Sequence, residues 1–251
     1  MATSIAQPAH GGPLDDVIDT VLNPARAFGS LRDRPHWLLA CGTVLALAAI
    51  GFVMERPVML QVSSTTMTHL FATNAAFANF TDAQRDRILY ATAHPSLLQS
   101  VLAYVQIVLF FVAGILGNAL LMLIASALGG GRAGFRVLWA ASMHVAIPSL
   151  GLATAVTAIV CAIDGPAAFG SLADVARATP GLGMLAPGLH GPAGAFLGAL
   201  SVFALWGAAL NGLALRCAAG VRGPLLWIAP ALVTLGGAAL SALFSGGAGG
   251  M

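Results

Sequence analysis

The stretch LLQSVLAYVQIVLFFVAGILGNALLMLIASAL, residues Leu97–Leu128, decides the fold class of this chain. It contains no charged residue and no turn signal between its ends, and it is well above the roughly 20 apolar residues that an α-helix needs to cross a bilayer core of about 30 Å. We therefore expect a single long or tilted membrane-spanning helix over this stretch.

The rest of the chain is also apolar and poor in charged residues. Of 251 residues, 11 are basic and 9 are acidic, so 8% are charged, whereas soluble domains carry about 25%. Apolar residues make up 58%, and the mean hydropathy is +0.88. A soluble fold of this composition would have to expose too much apolar surface to water. The composition predicts an all-α, polytopic integral membrane protein.

Charged residues mark the ends of the spans, because an ionised side chain at mid-bilayer costs at least ~2.5 kcal/mol. The charge-free runs, trimmed where proline and glycine indicate loops, predict five transmembrane helices. Their expected bounds are about 36–54, 97–128, 137–163, 193–216 and 224–244. The five form one domain over residues 36–244, and the glycine-rich tail 245–251 is predicted to be disordered.

The arginines indicate the orientation. With the N-terminus in the cytoplasm, seven arginines lie inside and four outside, and the two short inner loops carry a pair each. Short loops are where the positive-inside bias is strongest. We therefore expect the N-terminus inside and the C-terminus outside. The inner set is Arg26, Arg32, Arg34, Arg132, Arg136, Arg216 and Arg222; the outer set is Arg56, Arg85, Arg87 and Arg177.

Residues 1–35 are predicted to be a cytoplasmic segment with a short amphipathic helix. Five apolar residues fall on one helical face while the aspartates lie elsewhere, and Asn23-Pro24 then begins a second helix. The apolar residues are Leu14, Val17, Ile18, Val21 and Leu22. Two interpretations remain open: the segment lies on the inner membrane surface, or it covers the cytoplasmic end of the helix bundle.

The chain lacks the residues that several classes of enzyme and binding protein require. The chain has no lysine, which excludes a Walker-A loop and Schiff-base chemistry. It has no HExxH, no GxSxG and no paired aspartates within the spans, and His69, His94 and His190 do not have the spacing of a compact metal site. No basic run indicates nucleic acid. We expect no enzymatic activity, no cofactor, no metal site and no catalytic residue.

Among the polar residues within the predicted spans, three are candidate functional positions: Asn118, His144 and Asn211. Ionisable groups inside a membrane are functional by default. His144 has no acidic residue in any span to pair with, however, so a neutral imidazole bonded to a neighbouring helix, near a carbonyl freed by Pro148, is the preferred interpretation. The two asparagines are interpreted as interhelical hydrogen-bonding residues. The alternative is a polar path through the membrane along all three residues.

A set of residues recurs in a recognisable order from the segment before the first span to the fourth span: Pro24, Phe28, Gly129, Gly130, Phe135, Pro148, Phe203, Trp206 and Gly212. In this order and in its five-span layout, the chain resembles the Yip1 family of membrane proteins. The resemblance covers nearly the whole chain and implies a cytosolic N-terminus. For eukaryotic members it also implies binding to prenylated small GTPases and to other Yip proteins, a role not expected here because the alanine, glycine and arginine usage indicates a GC-rich bacterium.

The sequence therefore predicts a non-enzymatic protein of the bacterial inner membrane that organises membranes or binds other membrane proteins. Its expected partners are the lipid bilayer and other membrane proteins or a second copy. Small-residue spacings at Gly114 and Gly117 and at Gly194 and Gly198 would allow close helix approach. The alternative function is a small transporter or channel subunit with a polar path near Asn118, His144 and Asn211.

Overall fold

The structure, a computed structural model, describes residues 12–186, 188–189 and 191–247, and side chains as far as Leu243. Apart from one isolated antiparallel bridge between Gly181 and Ser201, its regular elements are all helices. The α-helices are α1 (Pro13–Leu22), α2 (Pro24–Asp33), α3 (Leu38–Thr73), α4 (Asp82–Ala93), α5 (Leu97–Leu128), α6 (Phe135–Ala146), α7 (Ala153–Asp164), α8 (Leu172–Ala178), α9 (Gly191–Ala199), α10 (Val202–Cys217) and α11 (Leu225–Gly247). A π-helical turn, Ile147–Leu152, joins α6 to α7.

Among the described residues, four helices are long and apolar enough to cross a membrane. They are α3, α5, the continuous stretch Phe135–Asp164 and the first 19 residues of α11. The helix predicted over residues 97–128 is confirmed with the same bounds, and its start is fixed by a capping box in which Ser96 and Gln99 bond each other's backbone N–H groups. The chain is therefore a multi-pass, all-helical protein.

Helix α3, which contains the first predicted span, is longer than predicted. We expected it to end at residue 54, but α3 continues through Glu55, Arg56 and Pro57 to Thr73 and has 36 residues, about 54 Å at 1.5 Å per residue. Its second half must lie beyond a 30 Å hydrocarbon core. Val58 and Val62 there pack with Cys161, Phe169 and Val175 in a separate small core, and this packing keeps the helix continuous.

The fourth predicted span is not one helix. Residues Leu200 and Ser201 interrupt it, leaving α9 with 9 residues and α10 with 16. The broken backbone is bonded to an extended segment: Leu182 N–H donates to the Leu200 carbonyl at 3.1 Å, and Val202 N–H donates to the Pro180 carbonyl at 2.9 Å. Within the described residues, the fourth predicted span is therefore two shorter helices and not one continuous transmembrane helix. The break is tolerated because the extended segment supplies hydrogen-bond partners for both the Leu200 carbonyl and the Val202 N–H.

The outer surface of the bundle is apolar, as the composition predicts. Helix α5 exposes large apolar side chains on successive turns over its whole length. Such a surface would cause aggregation in water and is compatible with contact with lipid acyl chains. These side chains are Leu97, Leu98, Val101, Leu102, Val105, Leu109, Phe110, Val112, Leu116, Leu120, Leu121, Ile124 and Leu128.

Helices α1 and α2 pack at the end of the bundle where α6 begins and α10 ends. The α2 side chains Ala27, Phe28 and Leu31 are fully buried there in the main core, together with Leu138 and Leu215. Helix α2 therefore covers this end of the bundle. The seven arginines that we predicted on the inner side all belong to α2, to the 34–37 link or to the α5–α6 and α10–α11 connections and their flanks.

On the surface of a soluble protein, a helix buries its apolar side and exposes its polar side, and helix α1 largely does the opposite. Its polar side faces the bundle, since Asp16 is 3% and Asp19 6% exposed, while Leu14, Ile18 and Leu22 are 61%, 47% and 76% exposed. The buried Asp19 carboxylate forms an ion pair with Arg26 of α2. Residues Pro13–Leu22 do form a helix. Leu14, Ile18 and Leu22 of its predicted apolar face point away from the protein, whereas Val17 packs against the bundle.

The predicted end of the last span, at residue 244, also differs from the structure. Helix α11 continues to Gly247, so the expected disordered tail is wrong for residues 245–247. Residues 248–251 of that tail, like residues 1–11 of the N-terminal segment, lie outside the described residues. A glycine-rich composition disfavours helix but does not by itself end one that is already nucleated by the apolar turns before it.

Candidate functional site

Two of the three predicted polar residues lie together. Asn118 of α5 and Asn211 of α10 form a reciprocal pair: Asn118 Nδ2 donates to Asn211 Oδ1 at 3.0 Å, and Asn211 Nδ2 donates to Asn118 Oδ1 at 3.1 Å. The second N–H of Asn118 reaches the Ser142 Oγ of α6, also at 3.0 Å. This asparagine cluster, Asn118, Ser142 and Asn211, ties three helices together and leaves its amides largely satisfied.

The asparagine cluster separates two cavities on the side of α11. An apolar cavity of about 290 Å³ lies between α5, α10 and α11 near their arginine-rich ends. Another of about 470 Å³ lies between α5, α6, α10 and α11 and is lined by Ser149, Thr234 and Ser241 as well as by the cluster. A paired amide in this position closes the gap between helices, which is the interhelical role that we predicted for the asparagines.

We expect the Asn118–Asn211 pair to show coupling in a double-mutant cycle. Asn118→Ala and Asn211→Ala should each lower the free energy of unfolding, and the double variant should lose little more than either single one, because either change already breaks the pair. The expected coupling is about 0.6 to 1.7 kcal/mol, measured by reversible unfolding in mixed micelles. Strictly additive losses would show that the amides act independently.

His144 lies in a different polar cluster. Its side chain is 1% exposed, and its Nδ1 is 2.9 Å from the Ala140 carbonyl on its own helix. A carbonyl only accepts, so Nδ1 carries the proton. The other ring nitrogen, Nε2, is buried and has no hydrogen-bond partner among the residues that the structure describes. The His36 ring lies 6.0 Å from the His144 ring, and His36 Nε2 is 2.8 Å from the Asp16 carboxylate.

This arrangement corrects the sequence interpretation in two respects. The His144 ring bonds its own helix and not a neighbouring one. An acidic group does lie nearby, but Asp16 comes from α1 and is therefore absent from any list of residues within spans. The carboxylate reaches the site because α1 turns its polar face toward the bundle. We call Asp16, His36 and His144 the histidine cluster.

The two clusters do not form one path. Ser142 and His144 are two residues apart on α6, which places them about 200° apart around the helix. The asparagine cluster therefore faces α5 and α10, while His144 faces α1 and the link before α3. His144 lines none of the three principal cavities found among the described residues. The three polar residues are divided between opposite faces of α6.

The residues that carry the family resemblance are spread over the bundle. Pro24 begins α2, Phe28 is buried in the main core, and Phe135 begins α6 and stacks on Trp139. The remaining positions serve turns and close contacts. Gly129 ends α5, Gly130 has a φ of +70°, Pro148 lies in the π-helical turn, Gly212 leaves room for the Trp227 ring, and Phe203 and Trp206 are half-buried on α10.

A further site was missed by the sequence interpretation. A cavity of about 710 Å³ lies between α3, α5, α7 and α8, and the adjacent residues Glu55 and Arg56 line it. Arg56 Nη2 donates to Ser100 Oγ of α5 at 3.3 Å. In the sequence, these two charges indicated only the end of the first span. Their position inside a helix that continues beyond them could be recognised only from the structure.

Metal binding has little basis in the geometry. Within the described ranges, no group of three or more histidine, cysteine or acidic side chains is close enough to hold a metal ion. His190, one of the three histidines considered in the sequence, lies outside those ranges.

Comparison with known proteins assigns no family to this chain. No protein-family model, no curated protein and no solved structure matches it.

Proposed function

We propose that this chain is a five-span integral protein of the Yip1 type in the cytoplasmic (inner) membrane of a bacterium. In this proposal it organises the membrane or binds other membrane proteins and catalyses no reaction. The fourth crossing is made by α9 and α10 together. Helix α10 alone is about 24 Å long at 1.5 Å per residue, so it needs only the extended break and part of α9 to complete a crossing of about 30 Å.

The distribution of charge supports an N-terminus in the cytoplasm and a C-terminus outside. Helix α2 packs against the end of α10 and the start of α6, which gathers the seven predicted inner arginines at one end of the bundle. The N-terminal helices therefore lie with the two short arginine-bearing loops, as the positive-inside bias requires. Five crossings then place the chain's two ends on opposite sides.

The observation that carries the proposed function is the outward-facing apolar side of α1. A helix that buries Asp16 and Asp19 and exposes Leu14, Ile18 and Leu22 is stable only if lipid or another protein covers the exposed face. The arginines gathered at this end of the bundle would attract anionic lipid on the cytoplasmic side. We infer that α1 lies in the membrane interface and gives this end of the bundle its contact with lipid and partners.

The transporter alternative has weaker support. It requires Asn118, His144 and Asn211 to line one route, whereas α6 separates the histidine from the two asparagines. The asparagines are bonded to one another, and breaking this pair to bind a solute would require the solute to replace both hydrogen bonds.

Site-specific photocrosslinking in native membranes tests the proposal. A photoreactive residue at Ile18 of α1 should yield phospholipid adducts, and one at Leu121, which lies on the α5 face with Gly114 and Gly117, should yield a discrete protein adduct. The structure leaves open space beside both glycines. Leu116 is the matched control, because it is similarly exposed on α5 but lies on a different face. Recovery of lipid-bearing monomers alone from every position would refute partner binding.

A further inference from the structure

The largest of the three cavities described above, about 710 Å³, lies toward the end of the bundle away from α2 and the predicted inner arginines. Glu55 follows Leu38, the first residue of α3, by about 25 Å of helix at 1.5 Å per residue. If α3 enters the membrane near Leu38, Glu55 lies close to the far edge of a hydrocarbon core of about 30 Å. The cavity is therefore at the depth where lipid headgroups meet the acyl chains.

The cavity has a polar part and an apolar part. Toward the middle of the bundle it is lined by Ala48, Phe52, Ile107 and Phe111. At the level of Glu55 and beyond, the lining includes Arg56, Gln99, Ser100 and Thr92. A ligand that fits this lining has a polar end near Glu55 and an apolar end directed toward the centre of the membrane.

The two charges on the wall are available to a ligand. Within the described part of the chain, the Glu55 carboxylate has no hydrogen bond and no ion pair. Arg56 is its sequence neighbour but is directed to Ser100 across the cavity. One half-buried carboxylate and one guanidinium side by side at headgroup depth complement a molecule that carries a cation next to an anion.

We propose that this cavity binds an amphiphile whose head carries a primary ammonium beside a phosphate, as in phosphatidylethanolamine. The ammonium donates hydrogen bonds to the Glu55 carboxylate, and the phosphate accepts from Arg56. Ser100 already donates its hydroxyl proton to the Ser96 carbonyl at 3.1 Å and only helps to position the guanidinium of Arg56. The upper part of one acyl chain lies against Phe52, Ile107 and Phe111, and the remainder continues into the bilayer. This inference requires the chain to be in a membrane but does not depend on partner binding by α1 or α5.

Binding is tested on the full-length protein in detergent micelles by native mass spectrometry with added dioleoyl phosphatidylethanolamine. Glu55→Gln keeps the shape of the side chain and removes its charge, and we expect about tenfold weaker binding. Arg56→Gln should weaken binding by a similar factor. Asp164→Asn and Arg87→Gln are matched controls, because both are exposed charged residues outside the cavity, and they should bind as the unmodified protein does.

A series of lipids with different headgroups tests the proposed specificity on the unmodified protein, even if a variant fails to fold. Phosphatidylcholine has no ammonium N–H and phosphatidylglycerol has no ammonium at all, so both should bind about tenfold more weakly. Free phosphoethanolamine has the same head without a chain and should compete only weakly. Equal binding of the three lipids, equal competition by phosphoethanolamine, or unchanged binding by a folded Glu55→Gln protein would each overturn the inference.

Discussion

Phe28→Ala is expected to release helices α1 and α2 from the bundle. The Phe28 side chain is fully buried among Leu31, Leu138, Leu215 and Val221, and truncating a buried phenylalanine costs about 3 kcal/mol or more. A loss of this size raises the released fraction about 100-fold. The chain has no lysine, so trypsin can cut this segment only at its arginines. Cleavage at Arg26 and Arg32 should therefore accelerate by about the same factor.

Leu22→Ala is the matched control for this prediction. Leu22 is 76% exposed on the outward face of α1, so its removal should leave the cleavage rate of the micelle-embedded protein nearly unchanged. If Phe28→Ala is cut no faster than the unmodified protein, α2 does not depend on this contact for its position. If both variants are cut faster, the outward face of α1 also packs on protein.

Gly181→Ala is expected to disrupt the break between α9 and α10. A Cβ atom at Gly181 would lie 2.6 Å from Ser201 Cα and 2.9 Å from the Leu200 carbonyl oxygen. Both are backbone atoms, so no side chain can rotate to make room, and the two segments must separate. Overpacking of this kind costs about 1–3 kcal/mol. We expect a lower free energy of unfolding and faster amide hydrogen exchange at Leu182 and Val202.

The control is Gly170→Ala, at another glycine on the same side of the bundle. A Cβ there would meet only the Asp174 carboxylate, at an ordinary 3.7 Å. This variant should unfold as the unmodified protein does. Unchanged exchange at Leu182 and Val202 in Gly181→Ala would mean that their hydrogen bonds to Leu200 and Pro180 do not hold the break together.

The bounds of α5 and of the stretch Phe135–Asp164 could be predicted closely, because each is an apolar run whose ends carry caps, glycines or charges. The bounds of α3 could not. A charged pair followed by proline ordinarily indicates the end of a span, yet here contacts of Val58 and Val62 with Cys161 and Phe169 extend the helix. Those contacts join residues about 100 positions apart, and local composition carries no information about them.

The candidate sites could likewise be predicted only in part from the sequence. The sequence identified Asn118, His144 and Asn211 because polar groups are rare within apolar runs, but it could not show that Ser142 joins the asparagines or that Asp16 and His36 approach His144. It assigned Glu55 and Arg56 only to a span boundary. A wall of the largest cavity was thereby overlooked, since a cavity is formed by several helices and has no signature on any one of them.

By itself, the sequence determined that the chain is helical, that it has several helices long and apolar enough to cross a membrane, and where most of these helices lie. These properties are sums of transfer free energies over about 20 neighbouring residues, and such sums can be read directly from composition. The tertiary structure alone decided which polar groups meet, where α9 and α10 separate, and which face α1 turns outward. Each of these depends on contacts between residues far apart in the chain, such as Asn118 and Asn211, which become neighbours only when the helices pack.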